Sequence, residues 1–358
     1  MLKVLGNWYQ RKFSDPNALM LLLLILFTAL TLYTLGGILM PVLVAIVIAY
    51  LLDVPVTNLE KRGVGRGLAT SFVLIVFFFV CFVAAISLLP IISKQSVNFV
   101  KEIPNIWQSA QDWLAALPEK YPNTIEVSYI KSMMSGVNEK VIDFGETVVS
   151  VSVSSIGTLA AILIYMILVP LMVFFMIKDK RIFLDSVSLI LPKQRRLISQ
   201  VGEEMNVQIA NYIRGKVIEI VIVGAVTSIA FSLLQLKFAI LLGVLVGFSV
   251  LIPYIGAAVV TIPVAIVGLF QFGLTADFGW VMLVYLIIQA LDGNLLVPLL
   301  FSEAVSLHPL YIIVAVLLFG GLWGFWGVFF AIPLATLVKA LITAWSPQVH
   351  NLPSSTDA

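Results

Sequence analysis

The charged residues of this chain all fall outside five long runs. Residues 18–52, 68–93, 147–177, 238–276 and 304–338 contain no Asp, Glu, Lys or Arg. A hydrocarbon core about 30 Å thick takes about 20 apolar helical residues, and a charge at its centre is costly. Charge-free runs of this length therefore call for a bilayer as solvent. Composition agrees: 61% of the 358 residues are apolar, 11% are charged and the mean hydropathy is +1.08. An ordinary soluble domain has roughly 25% charged residues. A soluble enzyme, a disordered chain and a secreted disulfide scaffold are excluded. The net charge of +2 gives no reason to expect a nucleic-acid partner. The single cysteine, Cys81, lies in an apolar run, cannot form an intrachain bridge and reads as a small core hydrophobe. The fold class is an all-α polytopic membrane protein in contact with lipid.

The runs predict eight hydrophobic segments: about six full spans and two broken, re-entrant hairpins. Residues 18–52 carry Gly36, Gly37 and Pro41 in their middle, which predicts two helices folded back at Gly36–Pro41. Residues 68–92, 149–177, 217–236 and 280–300 are one span each, the last two with an acid inside, Glu219 and Asp292. Asp15-Pro16 reads as a helix cap with proline in the first turn, and no small-residue cleavage site follows, so the N-terminus is expected to stay on the mature protein. Lys and Arg concentrate in 1–17, 53–67 and 178–216, which places these segments and both termini in the cytoplasm.

Two segments are expected to have structure outside the bilayer. In 93–148, Val97, Val100, Ile103 and Trp107 recur at helical spacing, and Pro104, Pro118 and Pro122 divide the run into short pieces of an outer helical cap. In 181–213, two amphipathic helices flank Leu191-Pro192. The organisation is thus 1–92 with three spans, an extracytoplasmic segment 93–148, and 149–216 with one span and the amphipathic helices. A transport core of two spans and two hairpins occupies 217–345, and 346–358 is a disordered tail.

The hairpins are predicted in 238–270 and 309–345. The first is broken at Ile252-Pro253-Tyr254-Ile255-Gly256, the second across Gly320-Gly321-Leu322-Trp323-Gly324. Broken backbone at membrane depth survives only where protein or a wet cavity satisfies the freed groups. Each hairpin follows a span, carries a small-xxx-small pair (Gly243/Gly247 and Gly320/Gly324) and continues into Ile-Pro. With opposite orientation the two units form an inverted repeat with tips near the midplane.

No phosphate-binding glycine loop, paired His/Cys set or nucleophile-elbow serine is present. No catalytic residue, metal ligand or cofactor is therefore assigned. The candidates for binding a substrate or ion are Gln289, Asp292 and Asn294, with Gly293 allowing the helix to loosen. An acid and two carboxamides inside an apolar helix point to function, with structural bridging between helices as the alternative. Glu219 lies one turn from Arg214 and Lys216, where a snorkelling ion pair is the favoured reading. Tyr254 is a substrate contact or an interface-packing residue. The hairpin tips add Pro253, Gly256, Gly320, Gly321 and Gly324, while Trp323, Phe325 and Trp326 read as packing.

Several of these stretches resemble one family. Pro41-Val-Leu-Val-Ala45 with Ala49-Tyr50-Leu-Leu-Asp-Val-Pro55 is similar to its N-terminal motif, and Phe175-Met-Ile-Lys-Asp179 to its segment after the fourth helix. Asn211-Tyr212-Ile-Arg214-Gly215, Ile252-Pro-Tyr-Ile-Gly256, Asp292-Gly-Asn294, Leu307-His-Pro309 and Gly320-Gly-Leu-Trp-Gly324 follow in the family order. The chain resembles the autoinducer-2 exporter family, and within it the PerM-like permeases. The resemblance implies a bacterial inner-membrane transporter, a homo-oligomer (a pentamer) and an elevator-like movement of the hairpin unit. Members are linked to export of a quorum-sensing signal or to cation–proton exchange. Three readings stand: an exporter or permease of a small polar solute, autoinducer-2 among the candidates; a monovalent cation/proton antiporter or channel-like protein with Asp292 carrying the ion; and a non-transporting membrane scaffold. A scaffold has no use for glycine-broken hairpins or a buried acid and ranks last.

Overall fold

The computed structural model describes residues 16–120, 156–190, 196–301 and 307–344. The expectations for the segment beyond Lys120, for Leu191-Pro192 and for the tail 346–358 lie outside them. The described residues form helices α1 (Pro16–Lys61), α2 (Arg66–Lys120), α3 (Ile156–Lys178), α4 (Lys180–Ile190) and α5 (Arg196–Leu233). These are followed by α6 (Ala239–Ser249), α7 (Ile255–Phe272), α8 (Ala276–Leu291), a π-helical turn at Asp292–Leu296, α9 (Val297–Phe301), α10 (Pro309–Phe329) and α11 (Ala331–Ala344). Six stretches among them are long and apolar enough to cross a membrane: Tyr33–Lys61, Arg66–Ser109, Val201–Leu233, Ile255–Phe272, Ala276–Phe301 and Pro309–Phe329. An all-α polytopic membrane protein is the result, because in hydrocarbon only a helix or a closed barrel satisfies every backbone group internally.

The six are not the six expected from sequence. Residues 18–52 do not fold back at Gly36–Pro41: α1 runs unbroken for 46 residues. Glycine in a helix interior costs only about 1 kcal/mol relative to alanine, whereas a turn in lipid would strand backbone groups with no water to meet them. One unbroken helix, rising about 69 Å, supplies one crossing and not two. It ends where Gly63 takes φ 92°, a left-handed stop, and Arg66 closes the connection with an ion pair to Glu60 at 2.8 Å.

Likewise α2 is one helix of 55 residues, and Pro90, Pro104 and Pro118 do not divide it. A proline removes a single ladder bond and crowds the preceding turn; this helix is held meanwhile by partners along one face. Gln95, Phe99 and Glu102, spaced by a helical turn each, meet the start of α6. The Gln95 amide oxygen accepts from the Leu241 N–H at 2.8 Å, Phe99 meets Phe238 edge-on with centroids 5.4 Å apart, and Glu102 pairs with Lys237 at 2.7 Å. The amphipathic stretch 197–213 and the span 217–236 are also one helix, α5.

Contacts divide the chain into two compact units. The first takes Met1–Asp53, Phe175–Gly215 and Leu300–Ala358, the second Val54–Phe174 and Lys216–Leu299. The second unit has an apolar core from α5 to α8, including Val223, Phe231, Leu242, Val246, Val264, Val281 and Tyr285. Lipid tails are as apolar as leucine, so close backbone approach must bind these helices together. The Gly243/Gly247 pair of α6 provides it: Gly247 lies against Gly224 of α5, where a Cβ would fall 2.8 Å from the Gly224 Cα, and Gly243 lies against Ser228.

In the first unit an aromatic cluster surrounds Tyr212, which is 2% exposed, with ring centroids 5.9 Å from Phe301 and 6.1 Å from Phe329. Lys180 of α4 pairs with Asp53 of α1 at 2.9 Å, and Tyr50 of α1 donates to Asn206 of α5 at 2.8 Å. These contacts fix the lower part of α1 against α4 and α5.

Candidate functional site

Each broken segment forms a helical hairpin, and each turn has its own chemistry. In the second unit α6 and α7 fold back on one another across residues 250–254. The turn is closed by Ile252 N–H donating to the Ser249 carbonyl at 3.1 Å and Gly256 N–H donating to the Ile252 carbonyl at 2.8 Å. Tyr254 holds φ 62° just before α7, a left-handed conformation that a residue with a Cβ adopts only under constraint. Its side chain is exposed; Pro253 is half-buried and Gly256 is buried. Gly256 sits against the Ser249 carbonyl with no room for a Cβ. The far ends of the arms come together as well: the Gln271 amide donates to the Gln235 carbonyl at 2.7 Å and accepts from the Lys237 N–H at 2.6 Å.

The hairpin turn faces buried charge. Val250 ends α6, and its carbonyl has no intrahelical donor. The Lys216 ammonium of α5 donates to that carbonyl at 2.7 Å and to Glu219 Oε2 at 2.7 Å. Lys216 is 4% exposed and Glu219 1%. The expected pair with Lys216 is present, but it is buried rather than snorkelled to an interface. Arg214 belongs elsewhere, donating to the Ala210 carbonyl and the Asn211 side chain at 2.9 Å each.

Asp292 is the third member of the cluster. It is 8% exposed and interacts electrostatically with both Lys216 and Glu219. Its Oδ1 is buried and has no hydrogen-bond partner among the described residues. The helix loosens where Gly293 allowed it to: Asp292–Leu296 is a π-helical turn, with the Val297 N–H donating to the Asp292 carbonyl. Single π turns inside α-helices gather at functional sites. With all three side chains ionised, one lysine faces two acids and the cluster carries one net negative charge.

The two carboxamides are not gathered around Asp292. Asn294 is exposed and its amide donates back to the Ala290 carbonyl at 2.8 Å. Gln289 donates at 2.8 Å to the Tyr285 hydroxyl, which donates in turn to the Ala257 carbonyl at 3.0 Å and lies 2.9 Å from Thr261 Oγ1. This chain ties α8 to the first turn of α7. Sequence reasoning named Lys216 only as a surface partner of Glu219 and missed Tyr285 and Thr261. Tyr285 carried a signal, since it lies four residues from Gln289 on the same helical face.

In the first unit the second hairpin turns at Gly324, where φ 59° and ψ −134° interrupt α10. A glycine is required at such a dihedral. Gly320 abuts Val328 and Gly327 lies against the Phe319 carbonyl, while Gly321 has open space beside it. The pair Gly320/Gly324 therefore makes a turn, whereas Gly243/Gly247 makes a helix contact. Phe319 and Trp323 stack with centroids 5.6 Å apart, and the Trp326 indole donates to the Met40 sulfur of α1. Beside this turn is an apolar cavity of about 520 Å³, lined by Gly36, Gly37 and Met40 of α1 and by Trp323, Trp326 and Leu334. Its walls hold no ionisable group apart from the phenols of Tyr33 and Tyr50. Among the described residues no group of three or more His, Cys, Asp or Glu side chains is placed to hold a metal ion.

Span-length helices, folded-back hairpins and buried charge at a hairpin turn define a helical multi-pass membrane protein. The family model described as AI-2E family transporter matches residues 21–347, and the chain belongs to that family. It is 51% identical over 345 residues to "Putative permease PerM" of Escherichia coli (strain K12), covering 96% of this chain and 98% of that one. It is 26% identical over 305 residues to "Putative transport protein YueF" of Bacillus subtilis (strain 168), covering 84% and 82%.

Proposed function

We propose that this chain is a secondary transporter of a small polar solute across the bacterial inner membrane, working through the α6–α7 hairpin and the charge cluster at its turn. The observation that carries the reading is the orphaned Asp292 oxygen beside the buried Lys216–Glu219 pair. Burying each ion costs several kcal/mol even after relaxation. An ionisable side chain buried in a membrane protein is a functional group by default. The α6 arm, 11 residues and about 16 Å long, is half a membrane deep, which supports a re-entrant hairpin with its turn near the midplane. Autoinducer-2 is the first solute to test, because the family is described by it. The experiment is solute flux in proteoliposomes with and without proton and sodium gradients; flux of no tested solute above that of protein-free liposomes would sink the reading.

A second reading, monovalent cation/proton exchange, is favoured by the net charge at the turn. Two acids sharing one ammonium carry a negative charge that a cation or a proton would neutralise. Flux that depends on a gradient without any organic solute present supports this reading over the first.

A further inference from the structure

The buried residue whose contacts reach furthest is Lys216. Its ammonium holds two groups that belong to different parts of the second unit, Glu219 on its own helix and the Val250 carbonyl of the hairpin turn, 34 residues on. The end of α6 carries the negative end of a helix dipole as well as unpaired carbonyls, so the ammonium is a strong tie between the turn and α5. The same ammonium interacts electrostatically with Asp292, the acid whose buried oxygen has no hydrogen-bond partner among the described residues. A lysine head is a compact charge with three donors on a flexible four-carbon stem, able to exchange partners by rotation of its side chain.

We infer that Lys216 is a positioning residue with two alternative holds, and that it links occupancy of Asp292 to the position of the α6–α7 turn. When a proton or a monovalent cation neutralises Asp292, Lys216 stays on Glu219 and Val250 and keeps the turn against α5. When Asp292 is bare and charged, it competes for the ammonium and the Val250 carbonyl is released. The charges that face this exchange are Lys216 and Glu219 from α5 and Asp292 from the π-helical turn. Neither α6 nor α7 contributes an ionisable side chain, and the Tyr285 phenol of α8 is engaged by Gln289, Thr261 and the Ala257 carbonyl. Glu102 and Lys237 pair with each other at the opposite end of the hairpin. The inference rests on the transport reading of this unit and specifies how its ion site moves its hairpin.

The test reads the turn directly. In a Cys81→Ala background, one cysteine replaces the exposed Tyr254 beside the turn, and a control cysteine replaces Leu274. Labelling by a small thiol reagent is followed in liposomes from mildly acid to mildly alkaline pH, as the ratio of the two thiolate rate constants, each corrected for the ionisation of its own thiol measured on the same variant. The ratio should change by at least about fivefold, the lower end of coupling between linked sites. Lys216→Gln should flatten it at the released value, Asp292→Asn should flatten it at the held value, and Lys216→Arg should keep the dependence. A ratio that is flat in the parent, or a dependence that persists in both Lys216→Gln and Asp292→Asn, overturns the inference. If Lys216→Gln does not fold, Asp292→Asn beside Lys216→Arg decides. Solute flux on the same liposomes separates the two claims: flux with a flat ratio defeats the Lys216 inference alone, and a responsive ratio without flux of any tested solute defeats the transport reading alone.

Discussion

Gly256 lies directly against the carbonyl of Ser249, close enough that the space a Cβ would need is already filled by backbone. The same relation recurs in the other unit between Gly327 and the carbonyl of Phe319. Both hairpins are therefore closed by a glycine of the returning arm seated on a carbonyl of the outgoing arm, seven and eight residues back.

Gly256→Ala and Gly327→Ala should each destabilise the protein by at least about 1–3 kcal/mol, because backbone rather than a flexible side chain must move. Gly321→Ala, which meets open space, should be close to neutral and is the control. Thermal unfolding midpoints in detergent check the set. Equal midpoints for Gly256→Ala and Gly321→Ala would contradict the close approach.

The Lys216–Glu219 pair should behave as a buried pair. Lys216→Met leaves two buried acids without their cation and should cost about 3–5 kcal/mol, whereas Glu219→Leu should cost less because Asp292 still faces the ammonium. The double variant should be less destabilised than the sum, with a coupling of up to about 3 kcal/mol. A denaturant double-mutant cycle measures it, and strict additivity would show that the pair contributes nothing as a pair.

Asp292→Asn keeps the size of the side chain and removes the charge. If Asp292 carries the coupling ion, flux should lose its dependence on pH or sodium while the unfolding midpoint stays near that of the parent. A structural bridge predicts the reverse pattern: unaltered flux in Asp292→Asn, and a loss of stability in Asp292→Ala. Flux and thermal shift measured on both variants separate these outcomes.

The α6–α7 hairpin should enter and leave by one face of the membrane. Single cysteines at Lys237 and Leu274, in a Cys81→Ala background, should both react with an impermeant thiol reagent from the same side. Reaction from opposite sides would make 238–270 a crossing.

The sequence by itself determined the solvent and the class of this protein. Hydrocarbon forces each segment to satisfy its own backbone, so length and absence of charge are read locally and reliably. The same locality made the two hairpin positions legible, since proline and glycine at 253, 256 and 324 leave a helix few alternatives there. It misled at Gly36–Pro41 and at Pro104, where similar residues sit inside α1 and α2 without ending them, because a helix is broken only when something else receives the freed groups. At the first hairpin that receiver is Lys216, bonded to Val250 34 residues away. No periodicity in the sequence announces such a bond. The pairing of Gly247 with Gly224, the reach of Tyr285 to the start of α7 and the isolation of the Asp292 oxygen are of the same kind. They depend on which helix surfaces meet, and in a membrane close packing and buried polar contacts decide that, so only the tertiary structure could assign them.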